Sequence, residues 1–179
     1  MHNDRQLVNL ALIGFMGTGK TSVGRVVAEH LHFDFLDTDD LIQTRTGRTI
    51  ADIFAREGEP AFRALERQVV GELAARNKTV ISTGGGLPTN LENLNALKVH
   101  ALVVCLWASE EKIWERVRNQ SHRPLLHDPD PQGKIHELLK IRAPFYQQAD
   151  VLINTDQRSA REVAQQIVLQ FKLANRPER

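Results

Sequence analysis

The stretch Leu7–Thr21, "LVNLALIGFMGTGKT", decides how the chain is read. An apolar run ends at Gly14 and a glycine-rich turn follows. Lys20 and Thr21 then open an amphipathic segment, "TSVGRVVAEHLH", whose Val23, Val27 and Leu31 recur at helical spacing. "GFMGTGKT", Gly14 to Thr21, fits G-x-x-x-x-G-K-[ST] in the strand–turn–helix setting that gives the pattern its physical meaning. Gly14, Gly17 and Gly19 let successive backbone N–H groups turn inward and form a concave anion site, with Thr18 and Ser22 as further nucleotide-binding positions. The helix N-terminus adds unpaired donors and partial positive charge. Lys20 can reach β- and γ-phosphates, and the Thr21 hydroxyl can sit on Mg²⁺. A nucleoside triphosphate with Mg²⁺ is the ligand these residues imply.

The run Leu7–Gly17 could also be taken for the apolar core of a signal peptide. It contains Asn9, lacks a small-x-small cleavage site and leads straight into Thr18-Gly19-Lys20, so it reads as a strand of the mature fold. No apolar stretch is long enough to span a bilayer. The lone Cys105, inside "ALVVCLW", cannot form an internal disulfide and reads as core packing in a reducing compartment. A cytoplasmic protein is the expectation.

Outward from the phosphate loop, short apolar runs alternate with amphipathic ones. The strands expected are Leu7–Ile13, Phe33–Asp37, Thr79–Thr83, Ala101–Trp107 and Val151–Asn154. "VISTG", "ALVVCLW" and "VLI" show little alternation, as in central parallel strands covered on both faces. Helices are expected at "EPAFRALERQVVGELAARN", with Phe62, Leu65, Val69 and Leu73 on one side, at "SEEKIWERVRN", opened by Ser109 in a capping-box pattern, and at "SAREVAQQIVLQFKL". Strand followed by helix, repeated, implies one α/β domain over residues 1–179 with a parallel sheet and right-handed crossovers. Lys and Arg number 23 against 22 Asp and Glu, a formal charge of +1. That balance, without an aromatic-rich basic strand, argues against nucleic-acid binding, and membrane association is not expected either.

Residues 119–133, "NQSHRPLLHDPDPQG", break the rhythm: polar, proline-rich and long for a connection. They read as a lid over substrate, carrying Arg123, or else as a plain surface insertion. The histidines show no metal-ligand spacing, and His122 and His127 read as solvated loop.

Asp37, Asp39 and Asp40 in "FLDTDDL" fall at the C-terminal end of the second strand, where open parallel sheets bind ligands. If the chain is still extended there, Asp37 and Asp39 share a side and Thr38 points away. One carboxylate can hold Mg²⁺ and the other can accept a proton from an acceptor hydroxyl. Asp40 reads as the helix cap before "LIQTRTG". Arg63 has Glu59 and Glu66 at helical spacing, which taken alone describes a solvated, salt-bridged face. Arg142 lies in "IRAPFYQQAD", where Pro144 should disturb the helix. Arg116 and Arg123 flank the start of the lid. Each guanidinium can grip a carboxylate or phosphate with two parallel bonds. In "VISTGGGLP", Gly84, Gly85 and Gly86 leave the backbone bare where a buried strand surfaces. A tight turn accounts for one or two glycines, and close approach of a ligand accounts for all three.

In their order, "GFMGTGKT", "DTDD", "GEPAFRALE", "STGGG", "RPLL" and "RAPFYQQAD" resemble the shikimate kinase family of small P-loop kinases, nearly end to end as far as "DVLINT". The resemblance implies ATP-dependent phosphorylation of the shikimate 3-hydroxyl and a five-stranded parallel sheet of order 2-3-1-4-5. It implies that Lys20 and Thr21 serve phosphate and Mg²⁺ and that Asp37 supports the metal. Asp39 would bind the shikimate hydroxyls and act as base. Arg63 and Arg142 would grip the shikimate carboxylate, with Glu66 orienting Arg63. Gly84, Gly85 and Gly86 would floor the ring, within an acceptor-binding region of about residues 39–66. Arg123 would come from the lid onto the phosphates and Arg116 would stack on adenine. "TVIS" stands where a Walker B strand would be but lacks its terminal Asp, which leaves Asp37 for Mg²⁺ and Ser82 as an outer contact. The last strand–helix loop, "NTDQRSARE", lacks the proline common in the family, and Arg158 is the adenine-side candidate there. A monomer acting on shikimate and ATP is expected. The rival readings are another small-molecule kinase, such as a gluconate kinase, and a non-catalytic nucleotide-binding module.

Overall fold

The computed structural model describes residues 5, 7–119 and 128–176. Arg123, His122 and His127, with the middle of the expected lid, lie outside the described residues. The elements run β1 (Asn9–Ile13), α1 (Lys20–Leu31), β2 (Asp34–Asp37), α2 (Thr38–Thr46), α3 (Ile50–Leu73), β3 (Thr79–Ser82), α4 (Leu91–His100), β4 (Ala101–Trp107), α5 (Glu110–Val117), α6 (Pro131–Tyr146), β5 (Val151–Asn154) and α7 (Ala160–Ala174). The five strands are parallel, in the order β2-β3-β1-β4-β5. This is the sheet order expected from the resemblance.

β1 is apolar from Leu10 to Ile13 because both its faces are covered. Leu10 and Leu12 pack with Val23 and Val27 of α1 and with Val163, Ile167 and Phe171 of α7. Ala11 and Ile13 turn to the opposite layer, where they meet Val69 and Leu73 of α3, Leu94 and Leu97 of α4, Ile113 of α5 and Tyr146 of α6. Each of these larger side chains contributes roughly 1.5–3 kcal/mol by leaving water. Cys105 is buried in the second layer, and burial pushes its thiol up to about 12. That is a core residue, not a nucleophile.

Asn9 is the polar exception in β1, and it is fully paired. Its Oδ1 accepts from the Thr79 N–H at 3.0 Å, while its Nδ2 donates to the Arg76 carbonyl at 2.7 Å and to His100 Nδ1 at 3.0 Å. One buried amide thus ties the starts of β1 and β3 to the end of α4.

Local chemistry sets the helix ends. α1 starts after Gly19, whose φ of 92° places it in the left-handed region. Ser109 caps α5 by accepting the Lys112 N–H. The third position there is Lys112, so the reciprocal capping box expected at Ser109 is absent. It occurs instead at Ser159 and Glu162, opening α7. α3 is two helices in one: Gly58, at φ 79° and ψ 174°, breaks it, and the break lets Pro60 stand near the start of the second half. The helix expected at "EPAFRALERQVVGELAARN" is that second half. Pro144 falls in the last turn of α6, which continues past it to Tyr146. The segment Pro131–Gly133 is already the first turn of α6, capped by Asp130.

Candidate active site

The C-terminal ends of β1, β2 and β3 open into one cleft of about 1000 Å³. Met16 to Ser22, Asp37, Asp39, Arg63, Glu66, the three glycines 84–86, Arg116, Arg142 and Arg158 all line it. The structure therefore gathers nearly every described residue named from sequence. Gly14 is the exception, since it lies beneath the loop. Its φ is 134°, and a Cβ there would come within 2.1 Å of the Leu106 carbonyl oxygen, so no other residue fits.

The phosphate loop is held from inside. Thr18 Oγ1 donates to the Phe15 carbonyl at 2.8 Å, spending that hydroxyl on the loop itself. Lys20 Nζ donates to the carbonyls of Gly14 and Phe15, each at 2.9 Å. Arg116 spans two loops, donating to Gly17 O at 3.1 Å and to Thr155 Oγ1 at 3.0 Å. Arg158 donates to Asn154 O at 2.8 Å. Arg116 thus ties the phosphate loop to the β5–α7 turn, while Arg158 is held within that turn.

The acidic turn differs from the extended reading. The chain becomes helical at Thr38, so the cap of α2 is Asp37, not Asp40. Asp37 Oδ1 accepts the Asp39 N–H at 3.0 Å, and its Oδ2 accepts from Thr21 Oγ1 at 3.1 Å. One carboxylate caps the helix and meets the helix-opening threonine of the phosphate loop. Thr38 does not point idly away. It is buried, and its Oγ1 accepts the Gly84 N–H at 3.1 Å.

Asp39 turns into the cleft. Burial and the nearby Asp37 raise its carboxyl to about 6, with Lys20 and Arg63 among the charges that reach it. Its Oδ1 is buried and has no hydrogen-bond partner among the described residues. Such an atom costs free energy unless a ligand supplies a donor.

Arg63 is only partly exposed and is not idle. Its Nε and Nη2 donate to Glu59 Oε1 at 3.0 and 2.7 Å, and its Nη1 donates to Glu66 Oε2 at 2.7 Å. Glu66 is fully buried, and burial raises its carboxyl although Arg63 pulls the other way. The solvated-face reading holds for Glu59 alone. Arg142 lies over the Phe15 ring, 5.6 Å from its centroid. Among the described residues no carboxylate pairs with it.

The glycine run gives these side chains room. A Cβ on Gly84 would stand 2.6 Å from Asp39 Oδ1, and one on Gly86 would stand 2.6 Å from both Nη atoms of Arg63. A Cβ on Gly85 would meet Arg142 Nη1 at 3.4 Å. None of the three has a left-handed φ, so the need is for space, not for an unusual backbone. The Gly84 N–H is already taken by Thr38, which removes it from the ligand-facing donors expected there.

Sequence reasoning missed an apolar part of the lining. Ile50, Ala51 and Phe54 from the first half of α3, with Phe62 from the second, also line the cleft. Phe62 was visible as a core residue. The others had left a signal, since Ile50, Ile53 and Phe54 stand at i, i+3 and i+4 after the cap Thr49, but the stripe is short and ends at Gly58. Tyr146 was also missed: its hydroxyl donates to the Gly85 carbonyl at 2.7 Å.

Comparison with known proteins follows this geometry. The family model described as "Shikimate kinase" matches residues 16–172. A shikimate kinase of Symbiobacterium thermophilum is 47% identical over 96% of this chain and 99% of its own. One of Thermodesulfovibrio yellowstonii is 43% identical over 92% and 95%. The structure of shikimate kinase from Acinetobacter baumannii in complex with shikimate superimposes with a TM-score of 0.89 at 44% identity, covering 96% of each chain. A gluconokinase from Sinorhizobium meliloti shares the fold at a TM-score of 0.61 but only 17% identity, over 95% of each chain.

Proposed function

The chain belongs to the shikimate kinase family, and we infer that it transfers the γ-phosphoryl group of ATP to the 3-hydroxyl of shikimate, a step toward aromatic amino acids. One observation carries the assignment of roles. Arg142, without a carboxylate partner among the described residues, shares a cleft with a phosphate loop and with a buried carboxylate oxygen that lacks a donor. An acid bearing a hydroxyl supplies what both lack.

Arg142 and Arg63 take the carboxylate of shikimate. Glu59 and Glu66 hold the Arg63 fork in place, so little rotamer entropy is lost on binding. Gly84, Gly85 and Gly86 floor the ring, and Phe54 and Phe62 close it from the other side. Asp39 Oδ1 accepts the 3-hydroxyl proton and orients that oxygen toward the γ-phosphorus. At neutral pH a carboxyl with a pKa near 6 is ionised, yet it is more basic than an exposed one.

Gly14, Gly17, Thr18, Gly19, Lys20, Thr21 and Ser22 form the triphosphate cradle. Lys20 now rests on two loop carbonyls, and phosphate oxygens compete for the same protons. Arg116 and Arg158 lie on the adenine side, and Arg123, in the lid before α6, is assigned to the phosphates. A loose phosphoryl-transfer transition state needs alignment and charge neutralisation above all, and these residues supply both.

The residues also suit Mg²⁺. The Thr21 hydroxyl and Asp37 carboxylate are hard oxygen donors 3.1 Å apart. Ser82 Oγ, in register with Asp37 across the sheet, is buried without a partner among the described residues. Thr21 and Asp37 would hold the ion, with Ser82 behind them. When bound, Mg²⁺ neutralises phosphate charge.

The reading is of a single cytoplasmic kinase domain over residues 1–179, acting as a monomer, with residues 39–66 as the acceptor region. No helix among the described residues is long and apolar enough to cross a membrane. A coupled ADP-release assay with ATP, Mg²⁺ and shikimate tests the function, with gluconate as the rival acceptor. Turnover with shikimate and none with gluconate is expected. Preference for gluconate, or no acceptor dependence, overturns it.

A further inference from the structure

Tyr146 ends α6 one helical turn after Arg142 and is 7% exposed. Its ring belongs to the core layer beneath the cleft, packed with residues of α3, α4 and α5. Packing alone would be served by phenylalanine. The hydroxyl instead donates to the Gly85 carbonyl at 2.7 Å, across a sequence separation of 61 residues. Burial pushes that hydroxyl up to about 12, with the charge of Arg142 acting the other way. Gly85 is also where Arg142 comes nearest the floor, with a Cβ there 3.4 Å from Nη1. Three groups therefore meet at Gly85: its carbonyl, the phenol that holds that carbonyl, and a guanidinium without a carboxylate partner among the described residues.

We propose that Tyr146 is a positioning residue for the acceptor, its hydroxyl holding the Gly85 carbonyl so that the glycine floor stands beside the Arg142 guanidinium at the distance the acid needs. The inference rests on the shikimate reading above. A guanidinium on a long stem has many rotamers, and a ligand that must first freeze them binds more weakly. Arg63 is fixed by two carboxylates. Arg142 has no such pair among the described residues, and a backbone held firmly beside its Nη1 narrows its rotamers without adding a competing charge. The Phe15 ring supports the same guanidinium from the other side.

Tyr146→Phe keeps the ring and removes only the hydroxyl. The expected result is a KM for shikimate raised about three- to tenfold, as for one lost hydrogen bond between neutral groups. KM for ATP stays within about twofold, because the phosphate loop is not touched. In an Arg142→Lys background the same change should shift KM by less than about twofold, since the partner it acts through is gone. A hydroxyl that merely satisfies a carbonyl would leave the shikimate KM unmoved, and a general packing role would shift both KM values. Either result overturns the proposal.

A second readout does not depend on the variant folding. Tyr146 is the chain's single tyrosine, so 3-fluorotyrosine incorporation gives one ¹⁹F resonance from this position. Shikimate should move that resonance saturably and ADP alone should not; no shift with shikimate would overturn the proposal. If the wild-type enzyme does not turn over shikimate, the functional reading fails first. If it does, and Tyr146→Phe has the wild-type KM, only the positioning role falls.

Discussion

Burial and the Asp37 carboxylate lift the Asp39 carboxyl from its ordinary value near 3.8 to about 6, and activity and stability respond in opposite directions. As a proton acceptor Asp39 works ionised, so kcat/KM for shikimate should fall as pH drops through about 6 in a steady-state profile. In stability, the folded chain holds a proton between pH 3.8 and about 6 that the unfolded chain has released. Stability is therefore lost as pH rises through that window, and the deficit of about 1–3 kcal/mol persists above it. Asp39→Asn should cut kcat by about 10²–10⁴-fold while raising stability at pH 8 by up to that same amount in a denaturant titration. A stable variant with near wild-type kcat would remove Asp39 from the chemistry. Arg63→Lys keeps a charge but loses the planar fork, and should cost about 1–3 kcal/mol in kcat/KM for shikimate. At this scale the sequence named Asp37, Asp39, Arg63, Arg116, Arg142 and Arg158, which the structure gathers in one cleft. It did not show that Asp37 rather than Asp40 caps α2, because that depends on the chain turning helical at Thr38, three residues earlier than "LIQTRTG" suggests.

The glycine run is the element whose substitutions separate the two halves of the acceptor site. A Cβ on Gly84 strikes Asp39 and one on Gly86 strikes Arg63, each at 2.6 Å. Gly84→Ala should therefore lower kcat about tenfold or more, as expected of a misplaced reacting group. Gly86→Ala should act mainly on KM for shikimate. Equal effects on both parameters in both variants would show a floor that moves as one piece. Gly71, on the exposed side of α3 with nothing within 4 Å of a Cβ, is the control. Gly71→Ala should stabilise by about 0.5–1 kcal/mol by thermal melting and leave kinetics alone. Among elements, β1, β3 and β4 were legible because buried parallel strands are continuous apolar runs; β2, "DFLD", has no buried residue and was legible by the acidic turn that follows it. α4 was not legible: "LENLNALKVH" buries Leu94 and Leu97 but has a weak amphipathic stripe. The first half of α3 was passed over because its stripe, Ile50, Ile53 and Phe54, spans only two turns before Gly58.

Across the whole molecule, the order β2-β3-β1-β4-β5 sets the loop after β1, the acidic turn after β2 and the glycines after β3 side by side at one rim. α3 and α6 lean over that rim from one layer, which brings Arg63 and Arg142 to the same cleft from positions far apart in sequence. No local pattern announces that convergence. The ordered set of motifs did, because only one arrangement of the sheet makes those motifs neighbours. The central claim is that phosphoryl passes directly from the cradle to an oriented hydroxyl in this shared cleft. ³¹P NMR of the products from ATP, Mg²⁺ and shikimate tests it most directly. The account predicts one phosphate ester, on the 3-oxygen, formed in step with ADP. Inorganic phosphate in place of that ester, or esters spread over several hydroxyls, would contradict it.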